Sequence, residues 1–164
     1  MDGAEMRIEA VAYGHPHAVR LIDEVQAEYV ARYGGEDATP LDPSVFEPPR
    51  GAFFVTYRDG EPVATGAWRL RDDVEVFGTR QTAEVKRMYV APAARGLGVA
   101  RRMLARLEDT ASAVGARVMI LETGTAQPEA MALYESSGYV RIEGFGYYKE
   151  DLVNRCYGKR LAPG

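Results

Sequence analysis

A strand, a glycine turn, a helix and a second strand follow one another between residues 84 and 121, and this order constrains the fold most. Residues 84–90 have the pattern of a strand, and Arg95–Gly98, called the glycine turn below, precedes a helix. The helix carries an apolar stripe at four-and-three spacing, formed by Val99, Met103, Leu107, Ala111 and Val114. Residues 118–121 are continuously apolar, which is typical of a strand covered on both faces. The segment predicts one parallel βαβ unit with a right-handed crossover.

Around this unit the sequence predicts antiparallel strands and two further helices. The helices start at Pro16 and Pro128, because proline is tolerated in a first helical turn. The remaining predicted strands are 7–11, 53–57, 63–70, 139–142 and 153–159. The dipeptide Asp59-Gly60 tolerates positive φ and predicts a hairpin between strands 53–57 and 63–70. Residues 36–50 are proline-rich, so we expect an irregular segment with one short helical turn.

The size and charge of the chain exclude several classes of protein. Its 164 residues fit a single domain, 1–164, that can fold without disulfides or a structural metal. Cys156 is the one cysteine and no secretory signal opens the chain, so we expect a cytoplasmic protein. No apolar run approaches the roughly 18 residues of a membrane span. A net charge of −4 argues against nucleic-acid binding.

The positive charge is concentrated in one place. Residues 84–106 hold six basic residues and one acid, a net +5, which leaves −9 for the rest of the chain. This charge lies where the unpaired N–H groups and the dipole of a helix N-terminus favour an anion. The glycines let backbone amides approach such a ligand closely. The segment predicts a phosphate site, and a solvated basic helix face is the alternative.

Two well-known phosphate loops do not fit the glycine turn. A Walker loop requires Lys and then Ser or Thr after its last glycine, whereas Gly98 is followed by Val99 and Ala100. A dinucleotide fingerprint would place Arg101 where close helix–strand packing requires Gly or Ala.

Two motifs, one after the other along the chain, resemble those of the GNAT superfamily of N-acetyltransferases. The segment from Arg95 to Ala100 matches the family's Arg/Gln-x-x-Gly-x-Gly/Ala pyrophosphate loop. The segment from Gln127 to Tyr139 resembles the family's Asn-x-x-Ala-x-x-Leu-Tyr-x-x-x-Gly-Phe helix, with Gln127 in place of Asn and Tyr139 in place of Phe. The resemblance covers residues 53–142.

The resemblance implies an α+β GNAT fold with acetyl-CoA as cosubstrate. This fold has a central mixed, mostly antiparallel twisted sheet, one splayed parallel βαβ pair, and helices on both faces in a three-layer αβα arrangement. Acetyl-CoA would enter between the splayed strands. The residues implied to hold it are Met88, Tyr89, Val90, Arg95, Gly96, Leu97, Gly98, Val99, Ala100, Arg101 (or Arg102) and Gln127.

The resemblance also implies the chemistry. Glu84 matches the position of a general base, and the alternative is a strand-end carboxylate paired with Arg87 or Lys86. Tyr134 matches the general acid that protonates the departing sulfur, and the alternative is a core tyrosine. We expect acetyl transfer to a primary amine of a small molecule or amino acid derivative, by direct attack in a ternary complex. The rival hypothesis is a non-catalytic acyl-CoA-binding sensor or interaction module.

Other candidate sites have little support, and the acceptor is not fixed. His15 and His17 lack the further ligands of a metal site, so no metal is expected. The family fold implies that the acceptor lies among segments 36–50, 71–82 and 144–151, whose acids could attract a cationic amine. Their acids include Glu36, Asp37, Asp42, Glu47, Asp72 and Asp73. The residues do not fix the oligomeric state, and a homodimer stays open.

Overall fold

The computed structural model describes residues 5–35, 42–124, 127–145 and 154–162. The strands are β1 Met6–Ala10, β2 Gly51–Arg58, β3 Glu61–Leu70, β4 Thr82–Val90, β5 Val118–Gly124, β6 Val140–Ile142 and β7 Asn154–Arg160. The helices are α1 Pro16–Tyr33, α2 Val99–Ala113 and α3 Pro128–Ser136, with short 3₁₀ helices at Pro43–Phe46 and Pro92–Ala94.

The seven described strands form one mixed sheet in the order β1-β2-β3-β4-β5-β7-β6. All neighbouring pairs are antiparallel except β4 and β5. The parallel pairing joins only residues 82–84 to residues 118–120, and beyond Glu84 and Ile120 the two strands are not paired within the described residues. This arrangement confirms the predicted splayed parallel pair in a mostly antiparallel sheet.

Helices cover both faces of the sheet because side chains alternate along each strand. Phe53 packs with Leu21 of α1 on one face, and the next residue, Phe54, packs with Leu104 of α2 on the other. Trp68 is buried on the α2 side, where its indole N–H donates to Thr110 at 2.9 Å. The predicted three-layer arrangement is therefore confirmed.

Most predicted elements are present, with differences at their ends. The hairpin turn at Asp59-Gly60 has φ values of 50° and 83°, as expected of a two-residue turn with positive φ. The short helical turn expected within residues 36–50 is the 3₁₀ helix Pro43–Phe46, and residues 36–41 lie outside the described part. Tyr139 was predicted to open a strand, but its amide donates to the Tyr134 carbonyl and completes the end of α3. Strand β6 therefore begins one residue later.

A substitution at Gly51 tests how closely β2 packs against the 3₁₀ helix Pro43–Phe46. A Cβ at this position would lie 2.1 Å from the Val45 carbonyl oxygen and 2.6 Å from that of Trp68. Both neighbours are backbone atoms, so the strand or the 3₁₀ helix must shift. We expect Gly51→Ala to lower the free energy of unfolding by about 3 kcal/mol, measured by urea denaturation. The matched control is Gly14→Ala, where a Cβ meets nothing within 4 Å; equal losses for the two variants would contradict this packing.

Candidate active site

A bulge in β4 bends the strand just beyond its pairing with β5. Thr65 is opposite Tyr89 and Ala67 is opposite Lys86, so the two residues between them in β4 face the single residue Gly66. At the bulge Arg87 has a φ of 58°, and its carbonyl accepts a hydrogen bond from the Thr65 hydroxyl at 2.6 Å. A Cβ on Gly66 would lie 2.5 Å from Met103 Cγ, so glycine allows α2 to pack closely at this point. The bulge thus helps to open the edge of β4.

The glycine turn leads from this opening into α2. Gly96 and Gly98 both have φ values of 79°, which favour glycine, and Gly98 is the N-cap of α2. No side chain caps the helix at Gly98. The first amides of α2 therefore remain available as donors to an anion.

A cavity of about 330 Å³ lies at the splayed end of β4. Its wall combines β4, the glycine turn, the start of α2, α3 and part of α1. The predicted residues that line it are Met88, Tyr89, Val90, Arg95, Gly96, Gly98, Val99, Ala100, Arg101, Gln127 and Tyr134. Three residues named from the sequence do not line it, namely Leu97, which is 38% exposed at the surface, Glu84, and Arg102, the alternative to Arg101.

Helix α1 contributes to the cavity in a way that the sequence reasoning missed. Val25, Glu28, Tyr29 and Arg32 line the wall. The available signal was their spacing, because Val25–Tyr29 and Glu28–Arg32 are i,i+4 pairs on adjoining parts of one helix face. Sequence alone did not indicate that this face reaches past the sheet to the glycine turn.

The arginines of the cavity are already engaged. Arg95 Nη2 lies 2.6 Å from Glu28 Oε2, and Arg95 Nε donates to the Val90 carbonyl at 2.8 Å. Arg101 donates to the hydroxyls of Ser136 and Ser137 at 2.9 and 3.1 Å, which ties α2 to the end of α3. The basic segment predicted from the sequence is therefore partly neutralised by an acid from α1.

Tyr134 projects from α3 and lines the cavity while only 6% exposed. Its ring packs edge-on against Tyr139, with centroids 5.8 Å apart. Burial, and then the nearby Tyr29, raises the pKa of Tyr134, so the phenol is protonated at neutral pH. Among the described residues its hydroxyl has no hydrogen-bond partner. This group can donate a proton to a ligand in the cavity.

The two residues that depart from the family pattern each make a polar contact. Tyr139 replaces the usual Phe, and its added hydroxyl donates to Glu108 of α2 at 2.8 Å, so a buried polar group is satisfied. Gln127 replaces the usual Asn at the N-cap of α3, where its side-chain oxygen lies 3.5 Å from the Thr123 hydroxyl.

Glu84 is 1% exposed and lies at the last paired position of β4 and β5. Its Oε1 accepts from Arg69 Nε at 3.0 Å and from Arg71 Nη1 at 2.7 Å. These are not the partners, Arg87 or Lys86, expected for a strand-end carboxylate. Arg69 is an ion-pair partner of Glu84 because it lies directly opposite Glu84 in the β3–β4 register.

Cys156 is 3% exposed on β7 opposite Glu122 of β5. Burial raises the pKa of its thiol, and the Sγ atom lies 4.0 Å from Glu122 Oε2. A buried thiol of this kind is a poor nucleophile, which agrees with its interpretation as a small core residue.

The segments expected to bound the acceptor are only partly described. Residues 36–41 and 146–151 lie outside the described part of the chain. In segment 71–82, Asp73 accepts two hydrogen bonds from Arg71, at 2.9 and 3.0 Å. Its charge is thus partly neutralised, so it is a weaker attractor for an amine than the sequence suggested.

No helix in the described residues is long and apolar enough to cross a membrane.

Comparisons with known proteins agree with this arrangement. The model of the acetyltransferase (GNAT) family matches residues 18–139. A protein of Azospirillum brasilense named IAA acetyltransferase is 38% identical over 143 residues, covering 87% of this chain and 90% of the relative.

Solved structures show the same fold. A candidate acyl-CoA N-acyltransferase from Klebsiella pneumoniae superposes with a TM-score of 0.76 at 27% identity, covering 96% of this chain and 98% of that one. The protein yncA of Salmonella typhimurium, solved with its cofactor acetyl-CoA, gives a TM-score of 0.69 at 19% identity, covering 97% and 95%. With the bulged strand, the glycine turn and the motifs already described, these matches show that the chain belongs to the acetyltransferase (GNAT) family and is an N-acetyltransferase with acetyl-CoA as its cosubstrate.

Proposed function

We propose that this enzyme transfers the acetyl group of acetyl-CoA to a primary amine of a small molecule or amino acid derivative, by direct attack in a ternary complex. The observation that carries the proposal is the cavity itself, in which an open strand edge, the glycine turn and a buried, protonated tyrosine share one wall. We further propose that residues 1–164 act as a single domain in the cytoplasm.

The cavity is suited to an extended thioester with a charged end. The pantetheine arm lies along the opened edge of β4 at Met88–Val90 and binds backbone groups, as an added strand does. The pyrophosphate lies at the glycine turn, where the amides of Gly96–Ala100 and the guanidinium of Arg101 are donors. Gln127 contacts the cosubstrate from the start of α3. Leu97 contributes only its backbone, since its side chain is at the surface.

Each bond change has a named group in this proposal. The amine nitrogen attacks the thioester carbonyl carbon, and the amides of residues 88–90 stabilise the negative charge that develops on the carbonyl oxygen. The C–S bond then breaks, and Tyr134 gives its proton to the departing sulfur. The proton lost by the amine passes to Glu84, directly or through water. Both arginine bonds end on Glu84 Oε1, and within the described residues neither arginine bonds to Oε2, the oxygen proposed to take this proton.

An acceptor panel tests the proposal. The protein is incubated with acetyl-CoA and each of a series of small primary amines, amino acids and amino acid amides, and with IAA, which appears in the name of the Azospirillum relative. Release of free CoA is followed with a thiol reagent, and the product is identified by mass. We expect at least one small amine to be acetylated. Acetylation of IAA or of protein lysines, with no turnover of small amines, would contradict the proposed acceptor class.

A further inference from the structure

Four charged side chains form a continuous chain of ion pairs along the cavity wall. Arg95 Nη2 lies 2.6 Å from Glu28 Oε2, and Glu28 Oε1 lies 3.3 Å from Arg32 Nε. Arg32 Nη2 then lies 2.8 Å from Glu129 Oε1. All four residues line the cavity and connect the glycine turn, α1 and α3. We call them the charge chain.

Glu28 engages guanidinium donors that a phosphate of the cosubstrate could also use. Its two carboxylate oxygens each contact a guanidinium, as two oxygens of a bound phosphate would. Arg95 is further held by the bond from its Nε to the Val90 carbonyl, so its Nη2 points to Glu28 from a fixed position beside the glycine turn. A phosphate at the turn that binds this donor displaces Glu28 from it and lies close to the Glu28 charge.

We propose that Glu28 competes with the phosphates of CoA for Arg95, and thereby weakens CoA binding and speeds CoA release after transfer. This inference rests on the proposed position of the pyrophosphate. The exposure of the two side chains agrees with displacement of Glu28 by the phosphate rather than with exclusion of the phosphate by Glu28. The Arg95 side chain is 42% exposed and that of Glu28 is 24% exposed. Ion pairs exposed to this degree are weak, so a multiply charged phosphate can replace the carboxylate.

The other acids of this region provide contrasts. Glu129 contacts Arg32, not Arg95, and its side chain is 63% exposed. Glu24 lies one turn before Glu28 on α1 and contacts Arg20 and the Tyr89 hydroxyl without lining the cavity. Glu24→Gln therefore removes an equal charge from the same helix while leaving the contact with Arg95 in place.

The test compares the binding of CoA and of pantetheine, which lacks the phosphates, by calorimetry. We expect Glu28→Gln to bind CoA about 2-fold to 5-fold more tightly than the unaltered protein, with a slower CoA dissociation rate in stopped-flow measurements. Pantetheine binding stays unchanged. Glu24→Gln gives no tighter CoA binding beyond the small long-range effect of a lost charge. In an Arg95→Gln background, Glu28→Gln gives no gain beyond the same long-range effect, because the donor for which Glu28 competes is absent.

Unchanged or weaker CoA binding by Glu28→Gln would overturn the competition, as would an equal gain for CoA and pantetheine or an equal gain in Glu24→Gln. These outcomes leave the proposed function intact, because the unaltered protein still binds CoA. Failure of the unaltered protein to bind CoA at all would instead overturn the proposed function together with this inference.

Discussion

Replacing Tyr134 with phenylalanine is expected to lower kcat by roughly 10²-fold to 10⁴-fold, the usual contribution of a positioned general acid. The ring fills the same space in both variants, and within the described residues the hydroxyl contacts no hydrogen-bond partner whose loss would disturb the wall. The dissociation constant for acetyl-CoA and the thermal midpoint should therefore change little. Steady-state kinetics and calorimetry on one preparation measure both quantities.

The neighbouring tyrosine is the matched control. Tyr139→Phe also removes one hydroxyl. Unlike Tyr134→Phe, it removes a hydrogen bond, the one that the hydroxyl donates to Glu108. We expect it to lower the free energy of unfolding by about 1 kcal/mol while kcat stays close to that of the unaltered enzyme. If Tyr134→Phe retains full kcat with chemistry rate-limiting, Tyr134 is not the acid. Because burial raises the pKa of Tyr134, its ionisation should not lower kcat below about pH 10, the pKa of an ordinary tyrosine.

Replacing Glu84 with alanine is expected to destabilise the fold by about 3–5 kcal/mol, the range measured when one partner of a buried ion pair is removed. The side chains of Arg69 and Arg71 are only 17% and 13% exposed, and both bind the carboxylate of Glu84. Without Glu84 both guanidiniums lose an acceptor, and Arg71 keeps Asp73. Urea denaturation measures the loss.

A surface carboxylate provides the comparison for Glu84. Glu61 pairs with Arg20 at 3.9 Å and its side chain is 73% exposed, so Glu61→Ala should cost less than about 1 kcal/mol. A comparable cost at the two positions would show that the buried pair is unimportant.

Glu84→Gln keeps an acceptor oxygen and separates catalysis from folding. If Glu84 is the base, this variant loses most activity at low pH, where few acceptor amines are deprotonated; equal loss at every pH would make the carboxylate structural.

The elements that carry most of the site were predictable from local sequence. Glycines at 96 and 98 adopt positive φ before a helix with a clear apolar stripe, and each of these signals lies within a few residues. The short parallel pairing of β4 with β5 also follows from one strand–helix–strand segment. Such features depend on the local chain, so one sequence was enough.

The remaining features of the site depend on contacts between distant residues. The ion pair of Arg95 with Glu28 joins residues 67 positions apart, and the pair of Arg69 with Glu84 depends on the strand register. The bulge at Arg87 places a non-glycine residue at positive φ, against its local preference, and is stabilised by Thr65 of the neighbouring strand. Only the folded arrangement reveals that the basic segment is partly neutralised by an acid of α1.

The central claim is direct transfer of the acetyl group from acetyl-CoA to an amine in one complex. Intact-mass measurement of the protein after incubation with acetyl-CoA alone, combined with initial rates at varied concentrations of both substrates, tests this claim most directly. We expect an unmodified protein mass and intersecting reciprocal plots, because the buried thiol of Cys156 is a poor nucleophile and CoA leaves only after an amine attacks. A stoichiometric acetylated protein that transfers its acetyl group to the amine, with parallel reciprocal plots, would contradict it.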